Sequence, residues 1–389
     1  MQHVKLKARC RRGLNALLLL EDGTLIEGCG FGAPGLKVGE VVFTTSMVGY
    51  PESLTDPSYE GQILVITYPL VGNYGVPGRE LKLCGIPLHY ESDKIHVEGL
   101  IVAEETDPSH WASTMSLHEW LKAEGIPGMS CVDTRFLVKK LRTKGVMMGV
   151  LKVFSQQEKC SIEELSEILA KTPRYDNLNL VERVSPRKII VHQPHRESKK
   201  LVAIIDCGVK YGILRELLSR GYKIVRFPYN CSVDEIMSWK PCGVVVSNGP
   251  GNPAILGDTI EAVKALVEYG VPLMGICLGH QIIALSQEAE VYKLKYGHRG
   301  ANKPCMNLET GRCYVTSQNH GFAVSGETAE KACFKIWFIN VDDKSVEGLK
   351  HKDKPILTVQ FHPEASPGPP DTSWIFDIFD RLVIRYGVS

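Results

Sequence analysis

Residues 271–288 read VPLMGICLGHQIIALSQE, a short apolar run from Val271 to Ile276 that gives way at Cys277 to a helical pattern over Gly279 to Glu288. Working upstream, the same alternation recurs. Leu201 to Asp206 (LVAIID) is followed by helical spacing from Tyr211 to Arg220 and then by Tyr222 to Phe227, and Cys242 to Ser247 (CGVVVS) by an amphipathic stretch from Asp258 to Tyr269. Short, continuously apolar strands alternating with helices predict parallel strands covered on both faces. The expected carboxyl-terminal fold is α/β, a doubly wound open parallel sheet, whose ligands sit at the carboxyl ends of strands.

The first half is less regular. Strand-like runs at Ala16 to Leu20, Val41 to Thr45 and Gln62 to Thr67, with helices expected at Leu117 to Glu124 and Phe136 to Lys144, predict a separate α+β domain. The expected division is a basic extension over 1–15, an amino-terminal domain over 16–182, a linker over 183–200 and a second domain over 201–389. The linker reading rests on RVSPRKIIVHQPHRESKK, which holds two prolines, six Lys or Arg and one acid. The extension carries Lys5, Lys7, Arg9, Arg11 and Arg12 without an acidic residue, so an organellar transit signal stands as the alternative to a cytoplasmic location. One motif is a decoy. Gly30-Phe-Gly32-Ala-Pro-Gly35 satisfies the dinucleotide fingerprint G-x-G-x-x-G, but that fingerprint must open a helix, and Leu36 to Thr45 reads as turn and strand.

With 389 residues the chain is long enough for two domains. Its 45 Lys plus Arg against 44 Asp plus Glu remove the electrostatic case for nucleic acid or an acidic membrane surface as partner. The most apolar short run, Leu14 to Leu20, contains Asn15, stops at Glu21-Asp22 and is well under the roughly 20 residues that span a bilayer. Twelve cysteines without any C-x-x-C suggest neither zinc nor a redox dithiol, and they read as reduced thiols.

Gly275-Ile-Cys277-Leu-Gly279, at a strand-to-helix junction, reads as a nucleophile elbow. Flanking glycines permit the sharp turn, and the free N–H groups of the helix start favour a thiolate. The last apolar run, Pro355 to Phe361, ends in His362-Pro363-Glu364. His362 is thus placed to exchange protons and Glu364 to orient its imidazole. Alone that tripeptide is weak; the elbow in the same expected sheet gives it weight.

GICLGHQ with the later FHPEA resembles the class I, triad-type glutamine amidotransferases. Ser247-Asn-Gly249-Pro-Gly251-Asn-Pro253, Tyr296-Gly-His-Arg and Thr316-Ser-Gln-Asn319-His-Gly321-Phe322 resemble the glutaminase subunit or domain of carbamoyl-phosphate synthetase. In the first half, Phe43-Thr-Thr-Ser46-Met-Val-Gly49-Tyr50, Thr55-Asp-Pro-Ser-Tyr59, Gly72-Asn73-Tyr74-Gly75 and Val132-Asp133-Thr134-Arg135 resemble its characteristic amino-terminal domain. The segment from Gly78 to Val97 and Ser109 to Trp111 resemble the eukaryotic pyrimidine-pathway type.

The resemblance implies a nucleophile at Cys277, a base at His362 and an orienting acid at Glu364, with oxyanion donors at the amides of Gly249 and Leu278. It implies glutamine contacts at Ser46, Gly249, Gly251, Leu278, Gln281, Asn319, Gly321 and Phe322; the two glycines also suit a tight turn, and Phe322 a core aromatic. No metal is expected. The implied reaction is hydrolysis of glutamine to glutamate and ammonia, passed through an enclosed passage to a synthetase subunit or fused synthetase domains for pyrimidine or arginine synthesis. No cofactor is expected in this chain; ATP, bicarbonate and magnesium belong to the partner. A γ-glutamyl thiol hydrolase and a non-catalytic regulatory relative are the rival readings.

Overall fold

A computed structural model describes residues 3–4, 10–155, 160–194 and 200–387. It divides into two compact units, residues 1–81 with 92–178 and residues 82–91 with 179–389. The expected single boundary is therefore corrected in two respects. A ten-residue excursion of the first half, 82–91, belongs to the second unit. The expected linker also contributes Ile190–His192 as an antiparallel edge strand against Lys223–Pro228. Part of that segment, 195–199, lies outside the described residues, as do Lys5, Lys7 and Arg9 of the basic extension. Arg11 and Arg12 form ion pairs with Asp107 and Glu105.

In the first unit the sheet closes on itself. Leu25–Gly32, Pro127–Ser130, Gly99–Glu105, Gln62–Val71, Gly35–Thr44, Met147–Val153 and Asn15–Leu20 pair in that order, and Asn15–Leu20 pairs back onto Leu25–Gly32. Closure removes the unpaired edges that an open sheet would leave. Val41, Val42, Ile63, Leu64, Val65, Leu100 and Ile101 are wholly buried. Helix Leu117–Ala123 starts in a capping box formed by Ser116 and Glu119, and Thr134–Lys144 is capped by the Asp133 carboxylate. Gly30 and Gly32 end one strand and Gly35 opens the next, so the glycine-rich decoy opens no helix. Cys10 and Cys29 form a disulfide, which corrects the expectation that every cysteine is reduced; the ten other cysteines are not disulfide-bonded.

The second unit is built on five parallel strands in the order Lys223–Pro228, Leu201–Asp206, Gly243–Val246, Leu273–Ile276 and Ile356–Val359. Alternation along them feeds two cores, as the two-residue period of a strand requires. Ala203, Ile205, Val244 and Val246 join one; Val202, Ile204, Val245, Met274 and Ile276 join the other. The doubly wound expectation holds for this parallel centre. The whole sheet is mixed, because Val346–His351, Phe334–Asn340, Val291–Asn307 and Cys313–Val324 extend it antiparallel beyond Ile356–Val359. Among the described residues no helix is long and apolar enough to cross a membrane.

Candidate active site

Three adjacent parallel strands end together. The loop after Gly243–Val246 carries Ser247 to Gly251, the loop after Leu273–Ile276 is Cys277 itself, and the loop after Ile356–Val359 carries His362 and Glu364. Cys277 adopts φ 54°, ψ −105°, a conformation rarely open to a residue with a side chain. Its N–H donates to the Val359 carbonyl at 2.9 Å, and helix Leu278–Ser286 begins at the next residue. The elbow needs its glycines for close approach. A Cβ at Gly279 would lie 2.0 Å from the Val246 carbonyl oxygen, and one at Gly275 would lie 2.7 Å from the Gly279 carbonyl oxygen.

His362 and Glu364 are buried, with His362 Nδ1 2.6 Å from Glu364 Oε1. Burial would pull the imidazolium down, but the Glu364 carboxylate overrides it, and a hydrogen bond with Cys277 adds to the rise. Burial would likewise push the Glu364 carboxyl up; Lys210 and His362 hold it down instead. The pair is therefore an imidazolium and a carboxylate. An N–H of His362 donates to the Ser317 carbonyl at 2.8 Å, which ties the long strand Cys313–Val324 to the same place.

Along that strand, the Asn319 carbonyl lies 3.6 Å from Cys277 Sγ, and Gln281 Nε2 donates to the Phe322 carbonyl at 2.9 Å and to Gln360 Oε1 at 3.0 Å. Gly249 is pressed against its neighbours, since a Cβ there would lie 2.1 Å from the Cys207 carbonyl oxygen and 2.8 Å from Leu278 Cδ2; Gly251 has φ +89°. Thus Gly249, Leu278, Gln281, Asn319, Gly321 and Phe322 all lie on the elements that meet around Cys277. Ser46 belongs to the first unit, where its Oγ accepts a hydrogen bond from Thr44 Oγ1 at 3.1 Å.

Sequence reasoning missed two features of this unit. Lys210, directly before helix Tyr211–Ser219, places Nζ 3.1 Å from Glu364 Oε1 and donates to the Ala365 carbonyl at 2.7 Å. His298, His320 and Glu347 are buried with their ligand atoms within 4.8 Å of one another, the group among the described residues that could hold a cation. His298 Nε2 is 2.8 Å from Asp343 and its Nδ1 is 3.3 Å from Glu347, while His320 Nδ1 donates to the Phe322 carbonyl at 2.9 Å. Burial would pull the His298 pKa down, yet Glu347 and Asp343 raise it above the usual histidine value.

The elbow, the imidazolium–carboxylate pair and the five-strand parallel sheet beneath them define a class-I glutamine amidotransferase. The family described as "Glutamine amidotransferase class-I" matches residues 203–382, and "Carbamoyl-phosphate synthase small chain, CPSase domain" matches residues 18–151. The carbamoyl phosphate synthase small chain of Sulfurisphaera tokodaii is 53% identical over 97% of this chain and 98% of its own, and that of Pyrococcus furiosus is 52% identical over 94% and 97%. That of Metallosphaera sedula is 50% identical over 97% and 98%. The chain belongs to the carbamoyl-phosphate synthase small-chain family, the amidotransferase component of that enzyme. These relatives are archaeal small chains, whereas Gly78 to Val97 had pointed to the eukaryotic type.

Proposed function

We propose that Cys277, His362 and Glu364 carry out the glutaminase half-reaction of this family. Cys277 Sγ, the thiolate partner of the His362 imidazolium, attacks the side-chain amide carbon of glutamine, and the oxygen that becomes negative accepts hydrogen bonds from the amides of Gly249 and Leu278. His362 gives its proton to the departing nitrogen, so ammonia leaves and a thioester remains. His362 then takes a proton from water, whose oxygen attacks the thioester; glutamate departs and the thiolate–imidazolium pair is restored. Glu364 keeps the imidazole oriented and balances its charge. Gly249, Gly251, Leu278, Gln281, Asn319, Gly321, Phe322 and, from the first unit, Ser46 form the glutamine contacts. The observation that carries this reading is His362 Nδ1 2.6 Å from Glu364 on the loop beside a cysteine held at φ 54°.

Ammonia is consumed by a synthetase large chain or fused synthetase domains, which bind the ATP, bicarbonate and magnesium. A cytoplasmic location is supported by the ten of twelve cysteines that lie outside the single disulfide, Cys10–Cys29. Glutamate release from glutamine tests the reading: the wild-type chain turns over, Cys277→Ser does not, and the synthetase with that variant still makes carbamoyl phosphate from added ammonia. Release unchanged by Cys277→Ser refutes it. The isolated chain is expected to be slow and to accelerate with synthetase, ATP and bicarbonate, since a misplacement of about 1 Å costs on the order of 100-fold.

A further inference from the structure

Behind the triad lies a layer of buried charge that the glutamine chemistry does not itself consume. Lys210 Nζ, 3.1 Å from Glu364, is also 3.9 Å from Glu91 Oε2. Glu91 is wholly buried. Its Oε1 accepts from Arg215 Nη2 at 2.5 Å and from Ser366 Oγ at 2.8 Å, and its Oε2 accepts from the Gly212 N–H at 2.9 Å. Gly212 is where the two carboxylates pass each other. A Cβ there would lie 2.8 Å from Glu364 Cγ and 3.0 Å from Glu91 Oε2.

Glu91 ends the excursion 82–91, which is fastened to the second unit. Ile86 joins the core that contains Ile213 and Leu217, Arg215 Nη1 donates to the Pro87 and Tyr90 carbonyls, and the Tyr211 N–H donates to the Glu91 carbonyl at 2.9 Å. The segment delivers one carboxylate to a fixed place beside the helix that starts at Tyr211, and the sequence returns to the first unit at Ser92.

We infer that Glu91 is a positioning residue for the triad, acting on Glu364 and His362 through Lys210. This rests on the glutaminase reading above. The argument is electrostatic. Once Cys277 is a thiolate, three cations, Lys210, Arg215 and the His362 imidazolium, stand against Glu91, Glu364 and the thiolate. Such a buried set is tolerable only when balanced and hydrogen-bonded. Without the Glu91 charge, Arg215 loses its carboxylate and Lys210 loses one of the two carboxylates beside it, Glu364 being the other. Lys210 then competes with His362 for that carboxylate, and the imidazolium loses both its partner and its proton more readily. The titratable and charged groups that face His362 include Glu364, Lys210 and Cys277; those that face Glu91 include Lys210 and Arg215, and the Ser366 hydroxyl and the Gly212 N–H also donate to it.

The sign is testable because the two partners of the Glu91–Arg215 pair act oppositely. In the pH profile of glutaminase kcat/KM the basic limb reports loss of the His362 proton. Glu91→Gln is expected to move that limb down by roughly one pH unit and lower kcat/KM about 10-fold. Arg215→Met, which removes a cation, is expected to move it up. Tyr222→Phe, which cuts the part-buried hydrogen bond to Asp380 on the carboxyl-terminal helix, lowers stability and leaves the limb in place. A limb unmoved in both charge variants, with melting losses like that of Tyr222→Phe, overturns the inference and leaves Glu91 a structural anchor. Should Glu91→Gln fail to fold, an Arg215→Met limb that stays or moves down overturns it equally. A wild-type chain without glutaminase activity would instead sink the parent reading.

Discussion

Gly279→Ala tests whether the elbow depends on backbone contact rather than on side-chain identity. The new methyl would lie 2.0 Å from the Val246 carbonyl oxygen and 2.6 Å from its carbonyl carbon, both backbone atoms at the end of a central strand. To reach the ordinary 3.4 Å, the start of helix Leu278–Ser286 and that strand end must part by about 1.4 Å. This helix start carries the Leu278 amide and follows Cys277 directly, and the neighbouring loop carries Gly249. Displacement therefore carries Cys277 and the Leu278 amide together away from Gly249, the other proposed oxyanion donor. A misplacement of about 1 Å costs on the order of 100-fold in rate, and overpacking costs about 1 to 3 kcal/mol in stability. A control separates these effects. Gly270→Ala sits at φ +71° with no atom within 4 Å, so it pays only the left-handed strain of about 1 to 2 kcal/mol. Glutamate release and thermal melting of both variants decide the matter: Gly270→Ala should melt lower at full kcat/KM, and Gly279→Ala should lose about two orders of magnitude while remaining folded. A Gly279→Ala enzyme with wild-type kcat/KM would show that the close approach to Val246 is not what sets the geometry.

Three further predictions concern binding, pH and strain. Ser46→Ala should weaken glutamine binding by about 0.5 to 1.5 kcal/mol, the net value of one hydrogen bond; an unchanged Kd removes Ser46 from the glutamine contacts. On acidification, His280 has its pKa pushed down to about 3 by burial, and Glu347, which burial would raise, is held down to about 2 by His298 and His320. Both groups are depressed relative to the unfolded chain, so their contributions are complete above 6.5 and 4.5 respectively and are lost as pH falls through about 3 and 2. Urea midpoints should therefore decline from about pH 6.5 downward, and a flat profile between pH 6.5 and 3 would contradict the buried neutral His280. Cys277→Gly should be at least as stable as Cys277→Ala, because relief of strain of about 1 to 3 kcal/mol exceeds the roughly 0.5 to 1 kcal/mol that glycine ordinarily loses to alanine. Chemical denaturation of the two inactive variants checks this, and a less stable glycine variant means the elbow is unstrained.

What the sequence made legible is what is encoded locally. Gly275, Cys277 and Gly279 announce a turn that only small neighbours allow, and the apolar runs at 201–206 and 271–276 announce buried parallel strands because no polar face interrupts them. The five-strand centre and the triad loops follow from that. Features set by distant pairing were not legible. Val291–Asn307 is interrupted by Lys293, Lys295, His298 and Arg299 and becomes a strand through its hairpin partner Cys313–Val324, not through its own pattern. Ile190–His192 is three residues in a basic, proline-bearing stretch, and its identity as a strand comes from the edge of Lys223–Pro228. The Glu91–Arg215 contact spans 124 residues, and nothing around either residue marks it as buried. Yet a buried charge must find its counter-charge wherever the fold provides one. The chemistry of this chain is thus announced by short motifs, while the electrostatic balance that lets the triad hold its charges depends on a carboxylate supplied from the other half of the sequence.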